Sequence, residues 1–258
     1  MATLPPALRP LAERPGRSAL FVDFDGTLAP IVADPGAARA LPGAADVLAR
    51  LAARYGVVAV VSGRPVAFLL DALGVVPRLR LVGLYGMEEW SEPGPVAEVP
   101  GVGRWRPVVA RVAERALAAA PPGAEVEPKG LTVTLHWRQN PVAEGWARDL
   151  AARALADDGL VAQAGRMALE LRPPVDTDKG TVVRRLGHGR WAAAAFGDDL
   201  GDLPAFTALG DLEAAGTAVA RVAVVDAESP DQVAEAADVV VEGPSGALGL
   251  LGLLADGG

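Results

Sequence analysis

A chain of 258 residues, 51% of them hydrophobic, is long enough to bury a substantial core and too apolar to be disordered. Its formal net charge of −8 argues against a general nucleic-acid binder, and it holds no run of about 18 apolar residues of the kind that crosses a membrane. With no cysteine, disulfides and thiol chemistry are excluded, and an amino terminus without a charged-then-apolar leader leaves the cytoplasm as the expected location.

Residues 1–18, rich in Pro, Arg and Ala, read as an irregular surface arm. The apolar run 19–22 predicts a short buried strand of a parallel sheet, and it ends in Asp23-Phe24-Asp25-Gly26-Thr27. In open α/β sheets ligands collect at the carboxyl ends of strands. Side chains two apart in extended chain point the same way, so Asp23 and Asp25 share one small volume and need a cation or a proton between them. An Asx-rich strand-to-turn transition is the plainer reading. Residues 29–41 carry Pro30, Pro35 and Gly36 and read as a loop near the site. Pro42-Gly43 then opens a helix with Val47, Leu48, Leu51 and Ala52 on one stripe, stopped by Gly56.

A second buried strand over 57–61 delivers Ser62-Gly63-Arg64-Pro65 to its end. A hydroxyl, a glycine and a helix amino terminus with Pro65 in its first turn make an anion seat, although Ser62 could equally be a simple N-cap. A third strand follows over 79–84.

From about residue 100 the pattern changes to helix–strand–strand, twice over. A helix spans 104–119, and strands 124–127 and 131–138 form a hairpin closed at Lys129-Gly130. A helix over 142–155 carries Trp146 and Leu150 on one stripe, and strands 160–164 and 167–171 turn at Gly165-Arg166. This block reads as an insertion over 101–173, bounded by Gly101-Val102-Gly103 and Pro173-Pro174. Glu127 and Lys129 face one side of their strand, as do His136 and Arg138. With Glu170 they supply the carboxylates and cations that hold a hydroxyl-rich ligand. They could also be a solvated sheet face stabilised by cross-strand charge pairs, with His136 satisfying a local hydrogen bond.

Asp178 N-caps a helix through Leu186, which puts Lys179 in the first turn. A cation is disfavoured at that end of the helix dipole, so Lys179 calls for a nearby anion unless it is simply exposed. Strand 191–196 ends in Gly197-Asp198-Asp199-Leu200-Gly201-Asp202. Carboxylates this dense at a strand end suit a hard cation such as Mg²⁺, an acidic surface turn being the alternative. Two more strands, 219–225 and 239–241, and an apolar helix over 245–254 complete the chain.

These four strings, in this order, resemble the four motifs of the haloacid dehalogenase superfamily. The resemblance implies that Asp23 attacks phosphorus to form an aspartyl-phosphate and that Asp25 serves as general acid and base. It implies that Ser62 and Lys179 hold the phosphoryl group. It places Mg²⁺ between Asp23, the backbone carbonyl of Asp25, and Asp198, with Asp202 and Asp199 positioning waters or neighbouring groups. Phosphate-transferring ATPases of the superfamily lack a carboxylate at the place of Asp25, which points to a phosphatase or a mutase.

Further strings narrow the resemblance: Ser62-Gly63-Arg64-Pro65, Gly86-Met87-Glu88, Glu127-x-Lys129 with His136-Trp137-Arg138, Glu170-x-Arg172-Pro173-Pro174-Val175, Asp178-Lys179-Gly180 and Gly243-Pro244. Over residues 18–255 they look like trehalose-6-phosphate phosphatases. Many family members continue the fourth motif as Thr-Asp-Glu-Asp, whereas this chain reads Gly201-Asp202-Leu203-Pro204, which bears on an outer-shell metal contact.

The expectation is an α/β protein. A doubly wound parallel sheet forms a haloacid dehalogenase-like core (1–100 and 174–258), and an α+β lid (101–173) is inserted in it. The implied activity is Mg²⁺-dependent hydrolysis of trehalose 6-phosphate in trehalose biosynthesis. Gly63, Arg64, Glu127, Lys129, His136, Arg138 and Glu170 would bind the sugar phosphate. Neither nucleic acid nor membrane is an expected partner, and the expected state is a monomer. Competing readings are a phosphatase or phosphomutase for another sugar phosphate, and a silent phosphosugar sensor, which would have no need of Asp25.

Overall fold

The computed structural model describes residues 3–32, 34–165, 167–227 and 229–257. The chain divides into two compact units, residues 1–97 with 177–258, and residues 98–176. These boundaries lie three residues outside the expected insertion, 101–173, at each end. On the inserted side Arg106 pairs with Glu98, and Arg172 donates to the carbonyl of Val175 at 3.3 Å, which ties both flanks to the insertion.

The first unit begins with α1 (Arg9–Glu13), β1 (Ser18–Val22), α2 (Ala44–Arg54), β2 (Val57–Val61), α3 (Val66–Leu73), β3 (Arg80–Gly83) and β4 (Glu88–Ser91), and the two-residue β5 (Ala97–Glu98) straddles its boundary. The second unit holds α4 (Arg106–Ala119), β6 (Glu125–Pro128), β7 (Val133–His136), α5 (Glu144–Asp158), β8 (Val161–Gly165) and β9 (Ala168–Arg172). The chain returns through α6 (Lys179–Gly187), β10 (Ala192–Gly197), α7 (Leu203–Ala214), β11 (Ala218–Val225), α8 (Asp231–Glu235), β12 (Val239–Glu242) and α9 (Gly243–Asp256).

The larger sheet runs in the order β12-β11-β10-β1-β2-β3-β4-β5. It is parallel from β12 to β3, and β4 is antiparallel to β3. Alternation along its central strands sends Leu20, Val22, Val58, Val60, Ala194 and Phe196 into one apolar layer. There they meet Leu8, Leu11, Leu48, Leu51, Leu69 and Leu251 from α2, α3, α9 and the amino-terminal segment. Phe21, Ala59, Val61, Ala193 and Ala195 face the other way, onto Val182, Val183, Phe206 and Leu209 of α6 and α7. The sheet is therefore wound on both faces, and β1, β2 and β10 are buried throughout, as continuous apolar runs require.

Two expectations change here. The amino-terminal arm is not irregular: Pro6 and Pro10 sit in the first turns of short helical segments, and Leu4, Leu8 and Leu11 enter the core. Pro- and Arg-rich composition concealed an apolar spacing of four and three. The stretch after β3 also forms a strand, β4, where Glu88 and Trp90 point inward.

In the second unit the antiparallel sheet runs β6-β7-β9-β8. Val133, Leu135 and Leu171 pack against Val109, Val112, Ala116, Leu150 and Ala154 of α4 and α5. The opposite side chains are polar, with Glu127, Thr134, Glu170 and Gln163 in one cross-strand row. Of the expected turn at Gly165-Arg166, Arg166 lies outside the described residues, and Gly165 pairs with Ala168. Among the described residues no helix is long and apolar enough to cross a membrane.

Candidate active site

β1 and β10 are neighbours, and the amide of Asp23 donates to the carbonyl of Phe196 at 3.0 Å. The two acidic strand ends thereby meet: carboxylate oxygens of Asp23, Asp198 and Asp202 lie within 4.8 Å of one another, all three buried. Lys179, itself buried at the start of α6, places Nζ 2.7 Å from Asp23 Oδ1 and 2.7 Å from Asp202 Oδ1. Asp178 closes a capping box with Thr181, so the cation sits in the first turn because anions lie in front of it.

One ammonium among three buried carboxylates leaves negative charge in excess. Desolvation pushes the Asp23 and Asp198 carboxyls well above the usual carboxylate range, and the neighbouring aspartates push the same way. Asp202 is raised more modestly by its burial, against the pull of Lys179. Burial alone would lower Lys179, yet the fields of Asp202, Asp23 and Asp199 hold its pKa well above normal. Oxygen donors gathered in this way fit a hard divalent cation.

Two glycines make the approach possible. Gly26 turns with φ +75°, and a Cβ there would lie 2.1 Å from Asp198 Oδ2. A Cβ on Gly197 would lie 2.1 Å from the Asp202 carboxyl carbon. Asp202 is engaged on both sides. Oδ1 accepts from Lys179, and Oδ2 accepts from the amides of Asp198 at 3.1 Å and Asp199 at 3.4 Å. Asp199 is half-buried and accepts from the amide of Gly201 at 2.8 Å, which caps the same turn.

After β2, Ser62 is buried and its Oγ accepts from the amide of Arg64 at 3.1 Å. The guanidinium of Arg64 grips Asp25 with two bonds, Nε to Oδ2 at 2.8 Å and Nη2 to Oδ1 at 2.9 Å. Gly63 lies under Tyr85, whose hydroxyl would be 2.6 Å from a Cβ at that position.

The expected anion seat at the following helix takes a different form. Pro65 is the N-cap rather than the first helical residue, and the amide of Val66 is taken by Glu88 Oε2 at 2.9 Å. A carboxylate from β4 thus fills the place where an external anion was expected. Tyr85 and Glu88 were missed as site-forming residues, although the string Gly86-Met87-Glu88 was the available signal. Tyr85 holds a left-handed backbone (φ 56°), and its amide donates to the carbonyl of Ser62 at 3.0 Å.

In the second unit, five further residues lie on or beside the polar sheet face. Lys129 Nζ stands 3.5 Å from Glu127 Oε2 and 3.7 Å from Glu170 Oε1. His136 Nε2 meets Glu127 Oε2 at 2.9 Å, and Thr132 Oγ1 donates to Glu170 Oε1 at 2.5 Å. Arg138 lies beyond the end of β7 and is half-buried. Glu127, Lys129, His136 and Glu170 therefore form one connected network.

The family model for trehalose-phosphatase matches residues 21–239. The trehalose-phosphate phosphatase of Mycobacterium avium is 38% identical over 203 residues, covering 74% of this chain and 51% of the relative. That of Mycobacterium marinum is 35% identical over 261 residues, covering 91% and 65%. The chain thus spans about half to two-thirds of the length of these relatives. The C-terminal domain of C. albicans trehalose-6-phosphate phosphatase superposes with a TM-score of 0.81 at 23% identity, covering 99% of each chain, and so shares the fold. The chain belongs to the trehalose-phosphatase family.

Proposed function

We propose that the protein is a Mg²⁺-dependent phosphatase that hydrolyses trehalose 6-phosphate to trehalose and phosphate. The observation that carries this reading is the meeting of Asp23, Asp198, Asp202 and Lys179 at two adjacent strand ends, with Asp25 two residues from Asp23. Membership of the family supports the substrate.

Asp23 attacks phosphorus. As its oxygen bonds to phosphorus, the ester P–O bond breaks and the leaving sugar oxygen takes a proton from Asp25. Water then attacks the aspartyl-phosphate, gives its proton to Asp25, and frees Asp23 and inorganic phosphate. Ser62 and Lys179 hold the phosphoryl oxygens, and Lys179 also keeps Asp23 oriented. Asp23, Asp198 and the backbone carbonyl of Asp25 would hold Mg²⁺, with Asp202 and Asp199 fixing the turn behind them. When bound, the ion supplies charge neutralisation for the anionic partners and lines them up for in-line transfer.

Glu127, Lys129, His136, Arg138 and Glu170 would bind the sugar, their carboxylates and cations matching hydroxyl groups. A phosphate-release screen across sugar phosphates tests the assignment. Fastest turnover on trehalose 6-phosphate supports it, and preference for a monosaccharide phosphate, or phosphate moved to a second sugar hydroxyl, refutes it.

A further inference from the structure

Arg64 has an engagement that the reaction as written does not use. Its side chain is 9% exposed and its fork meets both oxygens of the Asp25 carboxylate, one N–H on each at 2.8 and 2.9 Å. The guanidinium also rests on Phe68, 4.4 Å from the ring centroid, and Phe68 meets Phe24 edge-on at 5.8 Å. Phe24 stands between Asp23 and Asp25 in sequence and is fully buried. Arg64 is therefore clamped between an aromatic shelf and one carboxylate, and its own amide is tied to Ser62 Oγ.

A surface ion pair would show none of this: two bonds in fixed geometry, a ring beneath, and little solvent around. Asp25 lies between a strand end and the left-handed turn at Gly26, and its side chain is 28% exposed. Without a partner its carboxylate would sample several rotamers. The fork removes that freedom while each oxygen keeps a second lone pair for substrate.

We propose that Arg64 is a positioning residue: it fixes the carboxylate plane of Asp25 so that one oxygen faces the leaving oxygen of the substrate, and it links that plane to the Ser62 phosphate loop. The inference rests on Asp25 being the acid and base of a phosphatase. In the first half-reaction the P–O bond electrons go to the leaving oxygen, which takes the Asp25 proton. A leaving group that is stable as an anion does not need that proton, so Arg64 matters most for alkyl esters.

The test uses Arg64→Lys, which keeps the charge and loses the fork, and Arg64→Gln, on an alkyl phosphate and on p-nitrophenyl phosphate. Because kcat/KM reports only steps through phosphoryl transfer, it should fall about 10²-fold on the alkyl ester, in the range of lost acid–base assistance. On the aryl ester the fall should be less than a tenth as large. Hydrolysis of the common intermediate also draws on Asp25, so single-turnover dephosphorylation should slow equally whichever ester formed it. In an Asp25→Asn background, Arg64→Lys should add almost nothing, since residues acting as one unit are non-additive. Equal kcat/KM losses on the two esters, or full additivity with Asp25→Asn, would overturn the inference while leaving the phosphatase reading intact. A wild-type protein inactive on every phosphoester would remove the reading and the inference together.

Discussion

Gly26 is the residue at which chain direction and chemistry meet. Its φ of +75° is disfavoured for any residue with a Cβ, and that atom would overlap the carboxylate of Asp198. Gly26→Ala should therefore displace Asp198, and activity assays across a Mg²⁺ titration should show loss of turnover together with a raised metal requirement. Asp202 works differently. It joins Lys179 to the amides of Asp198 and Asp199, so Asp202→Ala leaves those two amides without their acceptor and Lys179 with Asp23 as its remaining carboxylate. Leaving buried donors without an acceptor costs about 1–3 kcal/mol, and chemical denaturation should show Asp202→Asn to be the milder change.

The sign of the pH dependence follows from burial. In metal-free protein the folded-state pKa values of Asp23, Asp198 and Asp202 lie above the unfolded ones. Their ionisation therefore opposes folding as pH rises from about 4, near the ordinary aspartate value. A bound cation removes that penalty. The gain in Tm on adding Mg²⁺ should be larger at about pH 8 than at about pH 5, and a gain independent of pH would contradict this account. Asp23, Asp198, Asp202 and Lys179 were legible in the sequence because each sits at a strand end or helix start. The Arg64–Asp25 fork was not, because nothing in spacing says where an arginine will reach.

Among the elements, those with strong periodicity were read closely. The stripe Val47, Leu48, Leu51 and Ala52 is the buried face of α2, and Asp178 caps α6 as its spacing indicates. The misses have physical causes. α1 is five residues long and follows two prolines, too short for a periodic signal, yet Leu8 and Leu11 are fully buried. Leu11→Ala should cost about 2–5 kcal/mol by thermal or denaturant unfolding, as expected for a leucine in a packed core. β4 escaped because its Glu88 breaks an apolar pattern. That glutamate caps α3 instead, so Glu88→Ala should lower kcat/KM for phosphoester substrates through a loosened Ser62-Gly63-Arg64 loop.

At the scale of the whole molecule, the proposed chemistry and the proposed sugar recognition fall to different compact units. The core gathers the groups proposed to read phosphate. The polar face of the inserted sheet carries Glu127, Lys129, His136 and Glu170 as a network of ion pairs and a His136–Glu127 hydrogen bond, and cross-strand alternation in the sequence foretold that face. Removing one charged hydrogen bond to a sugar costs about 1.5–3 kcal/mol. Glu127→Ala and Lys129→Ala should accordingly lose roughly ten- to a hundred-fold in kcat/KM on trehalose 6-phosphate, and far less on an aryl phosphate that lacks hydroxyls. Equal losses on both would assign these residues to the stability of the insertion.

The central claim is that Asp23 performs phosphoryl transfer from a sugar phosphate in a Mg²⁺-dependent site. Phosphate release from trehalose 6-phosphate, measured for the wild type and for Asp23→Asn with Mg²⁺ and after chelation, tests it most directly. The account predicts release by the wild type with Mg²⁺, none after chelation, recovery when the ion is restored, and none from a folded Asp23→Asn. Release by Asp23→Asn at the wild-type rate, or by the chelated wild type, would contradict it.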